Sequence, residues 1–206
     1  MNEVYIYLLD DFAEFPTDFV SKNLEKLPTF RQEQCAHYRQ ELDKRNCVAA
    51  YLLLVNGLRE QYGIAASVDF VYNEHGKPYL KDCPQIFFNI SHCQFGVICA
   101  IADFEIGVDI QEVRPFDEAV AQRVCSESEL SILKKADDPA HLLCRMWTAK
   151  ESYAKAKGIS VASILKSDFP EENSNQWDFG DYCLALCSQR QRMNPVFLRN
   201  KSISAV

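Results

Sequence analysis

The sequence predicts an α+β fold made of two similar halves, each a small antiparallel sheet packed with a long helix. Short apolar segments alternate as strands do, and two longer segments, 44–62 and 116–158, carry apolar residues at helical intervals. The order strand, helices, strands occurs over 1–104 and again over 105–206, which indicates a duplication. We expect a ligand cleft between the N-terminal half (1–104) and the C-terminal half (105–206).

Composition limits the classes of partner. With 206 residues, 48% of them hydrophobic, the chain can bury a substantial core. Its net charge of −7 argues against nucleic acid as a main partner. No apolar run approaches the ~18 residues of a membrane span, and the first residues lack a basic segment and a cleavage site. We therefore expect a cytoplasmic protein that binds neither nucleic acid nor membranes.

Nine cysteines are present without a C-x-x-C pair. An odd number without a secretion signal is typical of reduced, buried thiols. The spacing does not fit a structural zinc site, so we expect these residues to pack in the core.

The predicted elements follow in order. Three segments are predicted to be successive strands of one antiparallel sheet: SVDFVYN, QIFFNIS and FGVICAIA, joined by EHGKPYLKDCP and SHCQ. Strands are also predicted at VYIYLL, at IGVDIQEV and after Gly158, with helices starting at SESEL and DDPAHLL. Each half is expected to hold one long helix that begins near an arginine and ends near a glycine: Arg45 and Gly57, Arg145 and Gly158.

The segment WTAKESYAKAKG, residues 147–158, is predicted to form the last turns of a helix. A spacing of four places Trp147, Glu151 and Lys155 on one face. One interpretation is a surface Glu–Lys pair beneath an aromatic residue that packs on the core. The other is that the two charged groups serve a site.

In the strand IGVDIQEV, Asp109 and Gln111 share one face, and Glu112 is expected on the opposite, solvated side. A carboxylate in so apolar a strand is costly to bury unless it is paired or binds a cation. Asp109 is thus a candidate cation ligand, with Gln111 as a neutral oxygen donor. Glu151 could supply a second carboxylate, and two carboxylates with waters and substrate phosphates typically hold magnesium.

The segment FNISHC ends a strand that is predicted to be buried, so the polar atoms of Ser91 and His92 face a loop or cleft. Local hydrogen bonds at a strand end would also explain these residues. A nucleophilic pair of His92 and Cys93 is disfavoured, because neighbouring residues of a strand point to opposite faces.

Taken in order, FNISH, GVDI and WTAKESYAKAKG resemble the motifs of the 4′-phosphopantetheinyl transferase superfamily, and HGKPYL before FNISH strengthens the likeness. Chain length and duplicated layout resemble the larger, surfactin-synthetase-activating class, in which two halves form one monomer. The resemblance implies transfer of the phosphopantetheine arm of coenzyme A to a serine of an apo carrier protein, with release of 3′,5′-ADP.

The resemblance also implies roles for the site residues. Asp109 and Glu151 would bind Mg²⁺ together with the pyrophosphate, with Gln111 at a position that is often Glu. Glu151 would take the serine proton, and Lys155 would neutralise pyrophosphate charge.

For the coenzyme, the resemblance implies that Ser91, His92 and Arg45 hold the 3′-phosphate or nearby phosphate oxygens. Lys77, with the Gly76 backbone, would line the adenine pocket. Arg31 matches a phosphate-binding basic residue, and Gln34 stands where a second basic residue is expected.

Three points stay open. A non-catalytic module that binds coenzyme A or a carrier protein could keep the same fold. An unrelated magnesium-dependent phosphotransferase lacks support, because the chain has no G-x-x-x-x-G-K-[ST] loop. The carrier is expected to bind the segment 113–138, which offers Phe116, Val120, Val124 and Leu133 among basic residues. The alternative is the basic tail 189–206.

Overall fold

The computed structural model describes residues 2–10, 16–65, 67–168, 174–190 and 192–199. Over these residues it has six α-helices: α1 Phe19–Leu24, α2 Thr29–His37, α3 Glu41–Tyr62, α4 Glu118–Val124, α5 Glu127–Leu133 and α6 Pro139–Lys157. Over the same residues it has nine strands: β1 Glu3–Leu9, β2 Phe70–Tyr72, β3 Pro78–Leu80, β4 Phe87–His92, β5 Val97–Ala102, β6 Ile106–Glu112, β7 Ser174–Asp178, β8 Tyr182–Ser188 and β9 Asn194–Arg199. The α+β class is confirmed, and none of the described helices has the length and hydropathy of a membrane span.

The strands form two main sheets. The N sheet has the order β4-β5-β1-β9, with β9 parallel to β1 and the other pairs antiparallel. The C sheet is antiparallel, in the order β6-β8-β7. β9 follows residue 105 in the chain and yet pairs with β1, so the C-terminal half contributes a strand to the N sheet.

One strand prediction was wrong. β2 does not join β4 and β5 in one sheet but pairs with β3 in a separate two-stranded ribbon. β3 lies inside EHGKPYLKDCP, which the sequence predicts to be a connection. Apolar alternation marks a strand but not its partner, and Val71 and Tyr72 of β2 are exposed rather than buried in a sheet core.

The layers follow the order helix, sheet, sheet, helix. Alternation along β1 places Tyr7 and Leu9 against α3, in one apolar core. Ile6 and Leu8 point the other way and pack in a second core with the apolar side chains of β6 and β8. On the far face of the C sheet lies α6, whose Ser152 hydroxyl contacts the thiol of Cys187 at 2.9 Å. The core between the sheets therefore joins the two halves.

The long helices differ from their predicted limits. α3 runs on to Tyr62 and ends at Gly63, so the predicted end near Gly57 was wrong. A Cβ on Gly57 would lie 2.5 Å from Ile101 Cδ1, so this glycine lets the helix approach the N sheet. Arg45 lies one turn inside α3, which begins at Glu41.

The predicted helix start in DDPAHLL is confirmed, because α6 begins at Pro139, and the expected start near Arg145 was wrong. The Asp138 side chain accepts a hydrogen bond from the backbone of His141 at 3.0 Å. The predicted end at Gly158 is confirmed. The nine cysteines are free and seven of them are buried, as predicted.

Gly107 sets the distance between β6 and α6. A Cβ at this position would lie 2.0 Å from the backbone oxygen of Ser152 and 2.2 Å from the backbone nitrogen of Ala156. These are backbone atoms, which cannot turn aside as a side chain can. Close packing at Gly107 brings Asp109, two residues further along β6, next to the last turns of α6.

We expect Gly107→Ala to destabilise the protein by about 3 kcal/mol, because the added methyl forces β6 and α6 apart. Gly57→Ala is the matched control. Its methyl meets only side-chain atoms of Ile101 and Tyr7, and alanine favours the helix by about 1 kcal/mol. Urea unfolding of both variants measures the difference, and equal losses of stability would contradict the role given to Gly107.

Candidate active site

The carboxylate of Asp109 lies at the junction of three elements. It is 1% exposed, and its two oxygens accept hydrogen bonds from β4, α6 and β6. Oδ1 accepts from Ser91 Oγ and from Lys155 Nζ, each at 2.6 Å. Oδ2 accepts from Gln111 Nε2 at 2.9 Å. The carboxylate is buried because donors from both halves surround it.

Ser91 belongs to β4, whose polar side chains also bind the free edge of β6. Asn89 Oδ1 accepts from the backbone nitrogen of Val108 at 2.8 Å, and the Ile110 nitrogen donates to Ser91 Oγ at 3.4 Å. An edge strand leaves such groups unpaired, and burial makes unpaired groups costly. The sequence reasoning missed Asn89, although its spacing of two from Ser91 was the available signal.

Lys155 completes the group, and the surface Glu–Lys interpretation of its helix does not describe the structure. Its ammonium group is bonded to Asp109 and to Ser91 Oγ at 3.0 Å, and the side chain is 29% exposed. Trp147, on the same helical face, packs against an apolar cluster that includes Leu143. The aromatic residue thus fixes the helix to the core, and the lysine faces the site.

Glu151, one turn before Lys155, is half-buried. No hydrogen bond or ion pair to its carboxylate occurs among the described residues. Burial raises the pKa of Glu151, and the negative charge of Asp109 raises it further, against the opposite effect of Lys155. The two carboxylates therefore lie close enough to repel each other.

The donor set fits a magnesium ion. Asp109 and Glu151 would supply carboxylate oxygens, and Gln111 uses its amide nitrogen toward Asp109, which leaves its oxygen for a ligand. Magnesium prefers such hard oxygen donors. Lys155 already pairs with Asp109, and a second cation would stabilise the half-buried carboxylate of Glu151. These positions stay predictions for the metal.

The predicted coenzyme residues lie beside this group. His92 follows Ser91 on β4 and points to α3, where its Nδ1 lies 3.3 Å from Nδ2 of the buried Asn46. As an acceptor there, Nδ1 leaves the proton on Nε2, which can donate to a phosphate oxygen. Desolvation by the surrounding protein lowers the pKa of His92, and the charge of Lys155 lowers it further. Arg45 lies half-buried on α3, one residue before Asn46.

Arg31 on α2 faces the same helix. It donates to the backbone oxygen of Cys47 at 2.9 Å and to Gln34 at 2.6 Å, and its buried Nε has no hydrogen-bond partner among the described atoms. Gln34 therefore contacts Arg31 at the position where a second basic residue was expected. Sequence reasoning missed Asn46, because nothing in α3 marks one buried amide for a site.

Lys77 has a different environment from the one predicted. Its ammonium group is buried, pairs with Glu105 and donates to the backbone oxygens of Ile106 at 3.2 Å and Ala156 at 3.1 Å. Burial lowers the pKa of Lys77, against the effect of Glu105. The ammonium thus joins the β2–β3 ribbon to the C-terminal half. Because the ammonium group is already bonded, only the aliphatic stem of Lys77 could contact adenine, and this role stays a prediction.

Two further expectations about neighbours have clear outcomes. Alternation predicts that Glu112 is solvated, and this was wrong. Its side chain is 13% exposed and pairs with Arg114. His92 and Cys93 have different environments, as strand alternation predicts. Cys93 packs in the core between the sheets, whereas His92 faces Asn46 on α3.

The family model described as "4'-phosphopantetheinyl transferase superfamily" matches residues 105–199, which hold β6 and α6. The 4'-phosphopantetheinyl transferase AcpT of Salmonella typhi is 32% identical over 129 residues, 58% of this chain and 67% of that protein. The chain belongs to this superfamily.

Other members of the superfamily match a larger part of the chain. The transferase Sfp of Bacillus subtilis (strain 168) is 31% identical over 140 residues, 66% of this chain and 62% of that protein. The transferase gsp of Aneurinibacillus migulanus is 30% identical over 162 residues, 77% of this chain and 66% of that protein. The chain thus spans less than two thirds of the length of these relatives.

Opposite effects on stability are expected from the two carboxylates in metal-free buffer. Asp109→Asn should cost about 1–3 kcal/mol, because Ser91 and Lys155 lose a charged acceptor. Glu151→Gln should stabilise at neutral pH, because a raised pKa means that the ionised form is less favourable in the folded than in the unfolded chain.

The sign of this second effect gives it a pH dependence. The Glu151 penalty is complete above the raised pKa and disappears as pH falls toward the ordinary value of 4.5. The advantage of Glu151→Gln should disappear over the same range. Thermal melts from pH 8 to pH 4 measure it, and a variant that is less stable than the wild type at pH 8 would contradict the environment described for Glu151.

Proposed function

We propose that the protein transfers the 4′-phosphopantetheine arm of coenzyme A to a serine of an apo acyl, peptidyl or polyketide carrier protein. The supporting observation is the buried Asp109–Lys155–Ser91 group with the unpaired Glu151 beside it, at the junction of the two halves. The names of the matched relatives support the same reaction.

In the proposed reaction, the carrier serine oxygen attacks the phosphorus that bears pantetheine. A bond forms between the serine oxygen and this phosphorus. The bond between this phosphorus and the bridging oxygen of the pyrophosphate breaks, and 3′,5′-ADP leaves with the electron pair of that bond. Glu151 receives the serine proton, directly or through a water. Its raised pKa makes it a better proton acceptor than an ordinary glutamate.

Charge on the pyrophosphate requires compensation inside a partly buried site. Lys155 can turn from Asp109 to a phosphate oxygen, because its side chain reaches the surface of the site. Magnesium, held by Asp109, Glu151 and Gln111, would supply further positive charge at the pyrophosphate. His92, Arg45 and Arg31 would hold the 3′-phosphate, and Ser91 would orient Asp109 and the phosphate oxygens.

We propose a docking surface for the carrier within residues 113–138. Phe116 and Val120 are 41% and 47% exposed, whereas Val124 and Leu133 are buried in a small core. Only the first pair can contact a partner, beside the exposed Arg114. A depression of about 480 Å³ lies between this segment and the β4–β5 turn. Of the alternative surface, the basic tail 189–206, positions 191 and 200–206 lie outside the described residues, and β9 within it pairs with β1.

We also propose that the protein acts as a cytoplasmic monomer without nucleic-acid or membrane partners. One chain supplies both Ser91 from the N-terminal half and Asp109 from the C-terminal half, so a single copy can form the site. Free cysteines suit a reducing compartment, and the net charge of −7 does not favour phosphate-rich polymers.

The competing function is a non-catalytic coenzyme A or carrier-protein binder, which has no need of an unpaired Glu151 next to Asp109.

Mass spectrometry tests the proposed reaction directly. Several apo carrier proteins are incubated with the protein, coenzyme A and Mg²⁺, and we expect at least one to gain a phosphopantetheine.

Asp109→Ala and Glu151→Ala should each lower turnover by at least about 100-fold, since each removes several kcal/mol of transition-state stabilisation. Gln111→Ala should cost less, because water can replace a neutral ligand, and Gln111→Glu should tighten the Mg²⁺ dependence. Binding of the carrier without any mass gain would favour the non-catalytic alternative.

Coenzyme selectivity tests the phosphate contacts. His92→Ala and Arg45→Ala should raise the KM for coenzyme A and reduce its preference over 3′-dephospho-coenzyme A, because a charged hydrogen bond to the 3′-phosphate is lost. Arg59→Ala is the matched control. It lies on the same helix about 20 Å from Arg45, bonded to Asn56. An unchanged preference in both site variants would show that other groups hold the 3′-phosphate.

A further inference from the structure

A second cluster of potential ligands lies at the opposite end of α6 from Lys155. It consists of His141 in the first turn of α6, Asp178 at the end of β7 and Cys183 on β8. Each offers one ligand atom, and these atoms all lie within 4.8 Å of one another. Asp178 and Cys183 pair across the β7–β8 hairpin, whereas His141 comes from α6, and none of the three takes part in the site around Asp109.

The contacts of His141 point to a shared ligand. Its Nε2 lies 2.8 Å from Asp178 Oδ2, yet this buried nitrogen makes no well-aligned hydrogen bond with a described atom. The other oxygen of Asp178 accepts from the Gly180 backbone at 2.9 Å, so Oδ2 is the one directed at the histidine. On the far side of the ring, Nδ1 faces the Asp138 carboxylate at 3.6 Å. Metal-bound histidines typically have a carboxylate on that side.

Two other interpretations of the cluster fit less well. A Cys–His–Asp nucleophile needs a substrate to reach the sulfur, but Cys183 is 1% exposed on β8 and contacts Cys144 of α6. A simple ion pair between His141 and Asp178 would favour an aligned hydrogen bond. It also leaves the convergence of the Cys183 thiol unexplained.

We propose that His141, Asp178 and Cys183 bind a zinc ion. Imidazole nitrogen, carboxylate oxygen and thiolate sulfur are its usual ligands, and three protein ligands leave a fourth position for water. Sulfur and nitrogen donors disfavour magnesium, so this site is chemically distinct from the one around Asp109. Binding would release the proton of the Cys183 thiol. This proposal differs from the expectation drawn from cysteine spacing, because only one of the three ligands is a cysteine and His141 comes from a separate element.

Zinc here would fix the first turn of α6 to the C sheet. His141 precedes Glu151 by ten residues on the same helix, about 15 Å along its axis. The metal would hold the helix that carries Glu151 and Lys155 without contacting either residue. The proposal stands independently of the transferase reaction, since it requires only binding.

The test is a titration of the full chain, purified with a chelator and a thiol reductant. Zn²⁺ is added in competition with a chromophoric chelator, and Co²⁺ is added separately as a spectroscopic probe. We expect one equivalent of Zn²⁺ to bind and to raise the melting temperature. Co²⁺ should give a tetrahedral spectrum with sulfur-to-metal charge-transfer absorption.

Variants identify the ligands. His141→Gln and Asp178→Asn should each weaken Zn²⁺ binding by at least about 100-fold, more than the usual effect of changing a group behind a ligand. His75→Gln and Asp69→Asn are matched controls at exposed positions outside the cluster. Cys183→Ser should abolish the charge-transfer absorption. If this variant does not fold, the Zn²⁺ affinities of His141→Gln and Asp178→Asn decide whether the site exists. Absence of stoichiometric binding, or equal affinity in His141→Gln and the wild type, would overturn the proposal.

Discussion

The buried carboxylate of Asp109 can exist in this fold only if donors surround it, because an isolated ion in an apolar interior costs several kcal/mol or more. Those donors come from three elements, so each must be placed within hydrogen-bond distance. β4 must lie against the edge of β6 to bring Ser91, and α6 must lie close on the C sheet to bring Lys155. Gly107 permits the second approach. The packing of the two halves and the electrostatics of the site are therefore one constraint.

The same arrangement supports the proposed chemistry on phosphates. Lys155 balances Asp109, but no described group forms an ion pair with Glu151, whose pKa is raised by burial and by the charge of Asp109. This costs stability, as is common where function requires a strained electrostatic environment. A cation and a pyrophosphate would together redistribute these charges. The structure is in this sense prepared for ligands that bring both signs of charge.

Sequence reasoning predicted which residues of the candidate site are neighbours within one element, because two short-range periodicities suffice for that. Alternation along β6 placed Asp109 beside Gln111, and helical spacing placed Glu151 beside Lys155. Both rules act within one element, where backbone geometry fixes which side chains are neighbours.

Features that depend on contacts between distant elements were not accessible in this way. The β2–β3 pairing, the closeness of α3 at Gly57 and the burial of Lys77 by Glu105 are all set by tertiary packing. Glu112 pairs with Arg114 and is largely buried, so it is not solvated. The cluster around His141 combines three elements and leaves no motif in the sequence.

A double-mutant cycle on Asp109 and Lys155 tests most directly the claim that this ion pair unites fold and site. Asp109→Asn, Lys155→Met and the double variant are unfolded in urea in metal-free buffer at neutral pH. Because the carboxylate is buried and the ammonium is largely buried, we predict a coupling free energy of about 1–3 kcal/mol. A coupling below about 0.5 kcal/mol would contradict the account, since it would show that the two charges contribute to stability independently.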